Sequence, residues 1–297
     1  MISNAIILAG GKGTRIGPGS LSTSKHLIQV YDKPIIFFTI SFLLKIGVTN
    51  LIIIVNPDDK KSYIKLLGNG KSFGIKIKYI KQKKPNGIPE AFKISSKLIY
   101  NKNVLLILGD NFLYPKNNNL IALKRKINNF KNGSTIFTVK VKDVSSYGAI
   151  RIKKQKITIK EKPNNSFAKN AIIGLYLFDK NVTKYAKNLK RSKRGEFEIT
   201  DLLDIYLQKK LLDVCKISKQ NFFWMDLGSI KSIIKAQKIV LKNYNNLKDT
   251  NGYLEYIALE NKLITKKMAL KRLVRYGKNE YTDKIFKLIN LKKKNGF

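Results

Sequence analysis

The chain has 297 residues, in which 59 Lys and Arg stand against 19 Asp and Glu, a formal net charge of +40. With 43% hydrophobic residues and 10% aromatics there is ample material for a packed core, which excludes a disordered polycation; one large α/β domain with at most a small appendage is expected. A single cysteine, Cys215, excludes internal disulfides and cysteine-based zinc sites and fits a reducing cytoplasm.

The charge alone does not point to nucleic acid. Only 7 of the 59 basic residues are Arg, leaving 52 Lys, whereas base reading and planar phosphate recognition lean on Arg. The lysines run evenly from end to end beside abundant Asn and Ile, a bias of the kind an AT-rich genome produces. No nucleic-acid partner is expected, and nucleic-acid binding stays the rival class. No apolar stretch approaches the ~20 residues that span a bilayer, and the opening Met1–Gly11 lacks a basic segment before its short apolar run. A soluble cytoplasmic protein without a membrane partner is the expectation.

In chain order, short apolar runs of strand type occur at Ala5–Leu8, Leu51–Val55, Ile75–Ile80, Val104–Leu108, Thr135–Val141, Ile157–Ile159 and Ile172–Phe178. Several are separated by helix-length segments, which predicts a mostly parallel sheet covered by helices. Pro34–Ile46 reads as the first crossover helix, stopped by Gly47, and Phe92–Leu98 and Leu120–Phe130 read as further helices. Ser229–Leu241 is helical in pattern, an Asn-rich connector follows at Asn243–Asn251, and amphipathic segments continue to about Asn290. The expected partition is a catalytic domain over 1–241 and a C-terminal helical region over 242–297, with Lys292–Asn295 a frayed, solvated tail.

The first strand runs into Ala9-Gly10-Gly11-Lys12-Gly13-Thr14-Arg15. Glycines at the carboxyl end of a first strand let backbone N–H groups approach a phosphate, and nearby cations add charge. Two better-known loops are rejected: a dinucleotide fingerprint would need a small residue where Ile16 stands, and a Walker loop ending at Gly70-Lys71-Ser72 would need glycine where Lys65 stands. Read alone, the loop is equally a glycine turn without a ligand.

With so few acidic residues, their placement is informative. Leu105-Leu106-Ile107-Leu108-Gly109-Asp110-Asn111 is an apolar strand ending in a carboxylate, and Phe223-Trp224-Met225-Asp226-Leu227-Gly228 repeats the arrangement. Two such Asp residues could hold a hard divalent cation through oxygen; each alone is equally a cap or turn Asp.

Leu8-Ala9-Gly10-Gly11-Lys12-Gly13-Thr14-Arg15, then Ser24-Lys25-His26-Leu27 and Tyr31-Asp32-Lys33-Pro34, resembles the opening signature of the sugar-1-phosphate nucleotidyltransferases, and within them the thymidylyl-transferring branch. The resemblance implies a Rossmann-like three-layer α/β/α fold with a mixed, mostly parallel sheet and a C-terminal helical appendage. Its nucleotide part would cover about 1–110 and its sugar-phosphate part about 111–228. It implies Mg²⁺-dependent transfer of a thymidylyl group from dTTP to a hexose 1-phosphate, glucose 1-phosphate above all, by in-line displacement of pyrophosphate, feeding dTDP-rhamnose and related polysaccharides. UTP or CTP is the alternative nucleotide, and a homotetramer the implied assembly.

Residue by residue, the resemblance puts Leu8, Gly10, Gly11, Gly13 and Thr14 on the nucleotide, Arg15 and Lys25 on the triphosphate and leaving pyrophosphate, and Asp110 and Asp226 on Mg²⁺. Gln82 and Gly87 take the base, since a Gln amide offers donor and acceptor to a pyrimidine imide edge. Glu161-Lys162-Pro163 matches a motif whose Glu takes sugar hydroxyls and whose Lys takes the sugar phosphate. Arg194 with Glu196 matches a second phosphate and sugar segment, and Tyr147, Gly148, Ile172, Tyr176 and Trp224 line the sugar pocket. Read without the resemblance, the Arg194–Asp201 segment is a solvated cluster at a helix start capped by Thr200 or Asp201. His26, the lone histidine, has no chemical role assigned. The chain departs from the family pattern at Gln29, at Pro89-Glu90 beside the base residues, and at Ile173, all of which bear on base and sugar preference. It departs again at Pro115 and Gln220, where the family has a regulatory nucleotide site.

Overall fold

The computed structural model describes residues 2–11, 13–116, 120–154 and 156–294; Lys12 of the glycine loop and Asn295 of the expected tail lie outside them. Four strands run parallel in the spatial order Lys76–Lys81, Asn50–Val55, Asn4–Ala9, Val104–Leu108. Asn170–Phe178 then pairs antiparallel with Val104–Leu108 and carries the rest of the sheet: Ser134–Lys140, Ala149–Lys153 and Lys156–Lys160, with Leu212–Lys216 beside Ser134–Lys140.

The parallel strands read as unbroken apolar runs because both faces are covered. Ala5, Ile7, Leu51, Ile53, Leu105 and Ile107 pack into one core with Ile36, Phe37 and Ile40 of the helix Ile35–Lys45. Ile6, Ile52, Ile54, Val104 and Leu106 face the other way, against Ala91 and Phe92 of the helix Glu90–Ile94 and Leu202, Leu203 and Tyr206 of the helix Ile199–Gln208. The result is the three-layer α/β/α arrangement.

Local differences from the sequence reading have local causes. The expected Phe92–Leu98 helix starts earlier, after Pro89, and ends at Ile94, where the Ser95 hydroxyl donates back to the Ala91 carbonyl at 2.5 Å. The helix Ile230–Asn243 begins where expected, because Ser229 accepts from the Ser232 N–H at 3.2 Å in a capping box. The last helix runs from Glu280 to Lys294, so the expected tail is helical through its lysines. The position before the helix Ile199–Gln208 is Glu198, with neither Thr200 nor Asp201 acting as the cap.

The C-terminal helices share the main core. Tyr253, Leu254, Ile257, Leu273, Tyr281 and Ile285 join the cluster containing the Ile35–Lys45 helix. Buried polar bonds add to this: Glu255 accepts from Arg272 Nε at 3.0 Å and from the Tyr281 hydroxyl at 2.6 Å, while Arg272 also donates to Ser72 and to the Leu66 carbonyl. Asn261 donates to the Leu44 carbonyl at 2.8 Å and Asn251 to that of Pro115 at 3.0 Å.

Candidate active site

The parallel strands end along one edge, and the residues just beyond them are Gly10 and Gly11, Gln82, and Asp110. An open α/β sheet places ligands at this edge. These residues line a cleft of about 340 Å³ together with Leu8, Arg15, Lys25, Gly87, Tyr147, Gly148, Glu161, Lys162, Ile172, Tyr176, Glu196, Trp224 and Asp226. Three of the expected residues stand outside the lining. Gly13, at φ 66°, and Thr14 shape the loop beneath it; a Cβ on Gly13 would come 3.2 Å from the stem of Lys25. Arg194 is the third.

Asp110 and Asp226 come together through a ladder that the sequence reading did not foresee. The strand Phe222–Asp226 pairs antiparallel with Asn111–Pro115, with Asp226 opposite Asn111. The Leu227 N–H donates to the Asp110 carbonyl at 3.0 Å, and Thr39 Oγ1 donates to the Gly109 carbonyl at 3.1 Å, which fixes the corner. Each carboxylate has a cation: Lys25 pairs with Asp110, and Arg15 reaches Asp226 Oδ2 at 3.2 Å. Burial and then the nearby Asp110 charge push the Asp226 carboxyl up. Burial acts the same way on Asp110, but the charge and hydrogen bond of Lys25, together with His26 and a backbone hydrogen bond, outweigh it and hold that carboxyl below the usual range.

At the other end of the cleft, Glu161 and Lys162 follow the strand Lys156–Lys160. Lys162 adopts φ 39°, a left-handed conformation that an L-residue holds only when its surroundings enforce it, and its N–H is tied to the Tyr147 carbonyl at 3.0 Å. Burial, then the Glu198 charge, push the Glu161 carboxyl up. The Tyr147 ring packs on Trp224 with centroids 5.3 Å apart, and the Trp224 indole N–H donates to Asn111. Arg194 stays among carboxylates, 3.7 Å from Glu161, 3.8 Å from Glu196 and 3.5 Å from Glu198.

The loop carrying Gln82 and Gly87 closes onto the segment carrying Glu196. Phe197 N–H donates to the Asn86 carbonyl at 2.9 Å. Gly87, at φ 101°, permits this approach, since a Cβ there would overlap the Phe197 carbonyl.

Sequence reasoning missed several lining residues. Asn111 and Glu198 lay inside motifs already singled out, but nothing in their spacing marked them; Pro85, Ile88, Ser146 and Phe197 carry no signal of their own. His26 also lines the cleft. It is buried, its Nδ1 lies 3.1 Å from the Ser24 hydroxyl, and burial lowers its pKa to about 3, so the ring is neutral.

Three buried side-chain atoms without a hydrogen-bond partner belong to this cleft: Asp226 Oδ1, Glu161 Oε2 and Asn111 Nδ2. Buried polar atoms left unsatisfied in a cleft are sockets for a polar ligand. The orphan oxygen of Asp226, beside a second carboxylate, is a hard donor set that suits Mg²⁺. Among the described residues no group of three or more His, Cys, Asp or Glu forms a metal cluster, so a cation here would complete its shell with phosphate or water.

The sequence profile of the nucleotidyl transferase family matches residues 4–243. A glucose-1-phosphate thymidylyltransferase of Neisseria gonorrhoeae is 37% identical over 288 residues, covering 96% of this chain and 98% of the relative. One from Mycolicibacterium smegmatis is 36% identical over 239 residues, 79% of this chain and 81% of the relative. Among solved structures, a Bacillus anthracis chain assigned as a glucose-1-phosphate thymidylyltransferase, in complex with sucrose, aligns with TM-score 0.72 at 32% identity, covering 80% of this chain and 94% of that one. A UDP-glucose pyrophosphorylase bound to UDP-glucose shares the fold at TM-score 0.72 and 23% identity, covering 82% of this chain and 100% of that one.

Proposed function

The chain belongs to the nucleotidyl transferase family, and we propose that it transfers a thymidylyl group from dTTP to glucose 1-phosphate, giving dTDP-glucose and pyrophosphate. One observation carries the reading. A single cleft is lined at one end by two carboxylate–cation pairs beyond the parallel strands and at the other by Glu161 and Lys162. The first end suits a triphosphate, the second a phosphorylated sugar.

The reaction is an in-line displacement in which a phosphate oxygen of the sugar attacks the α-phosphorus and the α–β bridging bond breaks. No enzyme nucleophile is needed; the gain comes from positioning and charge neutralisation. Lys162, aimed by its left-handed backbone, holds the attacking phosphate, and the free Glu161 oxygen accepts from sugar hydroxyls. Arg15 and Lys25 exchange their carboxylate partners for the β and γ phosphates, which leaves Asp110 and Asp226 to hold Mg²⁺. When bound, the metal supplies charge neutralisation at the phosphates. Gln82 and Gly87 seat the base. Arg194 acts at one remove in this scheme, holding Glu161 and Glu196 in place by charge.

The same reading carries a homotetramer, a cytoplasmic location and a supply of dTDP-glucose for rhamnose-type polysaccharides. No described helix is long and apolar enough to cross a membrane. The test is a matrix of pyrophosphate release, with dTTP, UTP, CTP, ATP and GTP against several sugar 1-phosphates and Mg²⁺ present. The highest kcat/KM is expected for dTTP with glucose 1-phosphate; a clear preference for UTP or CTP would replace the base assignment.

A further inference from the structure

Gln82 is 8% exposed and presents its amide to two different surroundings. Its Nε2 donates to Glu90 Oε2 at 2.5 Å, while its Oε1 is turned to Gly10, where a Cβ would come within 3.1 Å of it. Glu90 does not line the cleft; it stands behind Gln82, in the first turn of the helix Glu90–Ile94. A carboxylate only accepts hydrogen bonds, so the amide nitrogen must face Glu90 and the amide oxygen must face the cleft. The other carboxylate oxygen, Oε1, accepts from Asn86 Nδ2 at 2.6 Å and orients that amide too, which leaves Asn86 Oδ1 to accept from Arg191 Nη1 at 3.3 Å.

We infer that Glu90 is a positioning residue for base selection: by taking one Nε2 hydrogen it fixes which way the Gln82 amide faces, so that Oε1 is the acceptor turned to the nucleotide and the cleft takes a base with an N–H on its pairing edge. Thymine and uracil carry that N–H at N3. Cytosine offers a lone pair at the same place, and two acceptors would then face each other. The thymine methyl plays no part in this contact, so Glu90 excludes cytosine without separating dTTP from dUTP. This inference rests on the thymidylyl transfer proposed above and adds to it the residue that sets the direction of the amide.

The experiment measures kcat/KM for dTTP, dUTP and dCTP at saturating glucose 1-phosphate in the wild type and in Glu90→Met, Glu90→Gln and Asn86→Ser, each checked by thermal melting. Glu90→Met removes the acceptor at similar length, and the dTTP/dCTP ratio should fall roughly tenfold, through KM for the nucleotide, with the sugar KM unmoved. Glu90→Gln still offers a carbonyl to Gln82 and should keep the ratio within about threefold. Asn86→Ser removes the other partner of Glu90 and should leave the ratio alone. Should Glu90→Met melt too early to assay, Glu90→Ala carries the same expectation. A ratio unchanged in the Met or Ala variant, or moved equally by Asn86→Ser, overturns the role of Glu90 while thymidylyl transfer stands. A wild type that releases no pyrophosphate from dTTP overturns the functional reading, and the inference falls with it.

Discussion

Replacing Asp226 by Asn separates what this residue does for the fold from what it does for the reaction. In the folded chain Oδ2 accepts one bond, from Arg15 at 3.2 Å, and Oδ1 accepts none although it is buried. The Arg15 side chain is 61% exposed, so that ion pair is worth at most about 1 kcal/mol. Against it stands the penalty for burying the charge beside Asp110, which is why the carboxyl is pushed up. A carboxyl raised in the folded state loses stability as pH rises through its folded-state pKa, so at neutral pH the ionised Asp226 opposes folding and Asn relieves it. The two effects nearly cancel, and the melting temperature of Asp226→Asn should lie within about 3 °C of the wild type. Turnover should behave differently. Losing one of two oxygen donors to the cation that neutralises the phosphates removes several kcal/mol of transition-state stabilisation, a fall of roughly 10²-fold or more in kcat. The assay is pyrophosphate release from dTTP and glucose 1-phosphate across a Mg²⁺ titration, beside a thermal melt. A variant that keeps more than about a tenth of wild-type turnover with the same Mg²⁺ dependence would refute the assignment.

Two further expectations are independent of it. His26 is held neutral, with a pKa of about 3 against an ordinary 6.5, so its stabilising contribution is complete above pH 6.5 and is lost as pH falls towards 3, at roughly 1.4 kcal/mol per pH unit. His26→Gln should flatten urea-unfolding stability between pH 6 and 4, and an unchanged slope would dismiss the buried neutral ring as its source. Gly87→Ala combines an unfavourable φ with a Cβ placed on the Phe197 carbonyl, so the base loop must shift. KM for dTTP should rise about tenfold or more while the melting temperature drops by only a few degrees; an unaltered KM would mean that this loop does not seat the base.

What the sequence disclosed and what it hid follow from how far apart the partners lie. The parallel strands were legible because burial on both faces writes them as continuous apolar runs, and the helix Ile35–Lys45 because Pro34 and Gly47 bracket it. The strands Asn111–Pro115 and Phe222–Asp226 were not: each is five residues, rich in aromatics, and defined only by pairing with the other across more than a hundred positions. The helix Lys60–Leu67 also escaped, because it carries only Tyr63 and Leu67 as buried positions. Within the cleft, a carboxylate at the end of an apolar strand announced Asp110; Gln82 and Glu161 came only through the resemblance, and the pairing of Gln82 with Glu90 depends on a loop folding back on itself. Arg194 is a different case: its motif says phosphate, and its guanidinium lies 3.5 to 3.8 Å from three carboxylates.

The sharing of one core by the two ends of the sequence sets a timetable for biosynthesis. The Leu44 carbonyl waits for Asn261, 217 residues later, and Ser41 waits for the Gly252 N–H, 211 residues later. At ribosomal speeds of about 5 to 20 residues per second, the apolar flank of the Ile35–Lys45 helix stays uncovered for roughly 10 to 40 s after it emerges. During that interval a nascent chain of high positive charge displays a sticky surface beside the ribosome's own polyanionic RNA. Holding that surface in check until the closing helices arrive is a task for the cell's folding assistants.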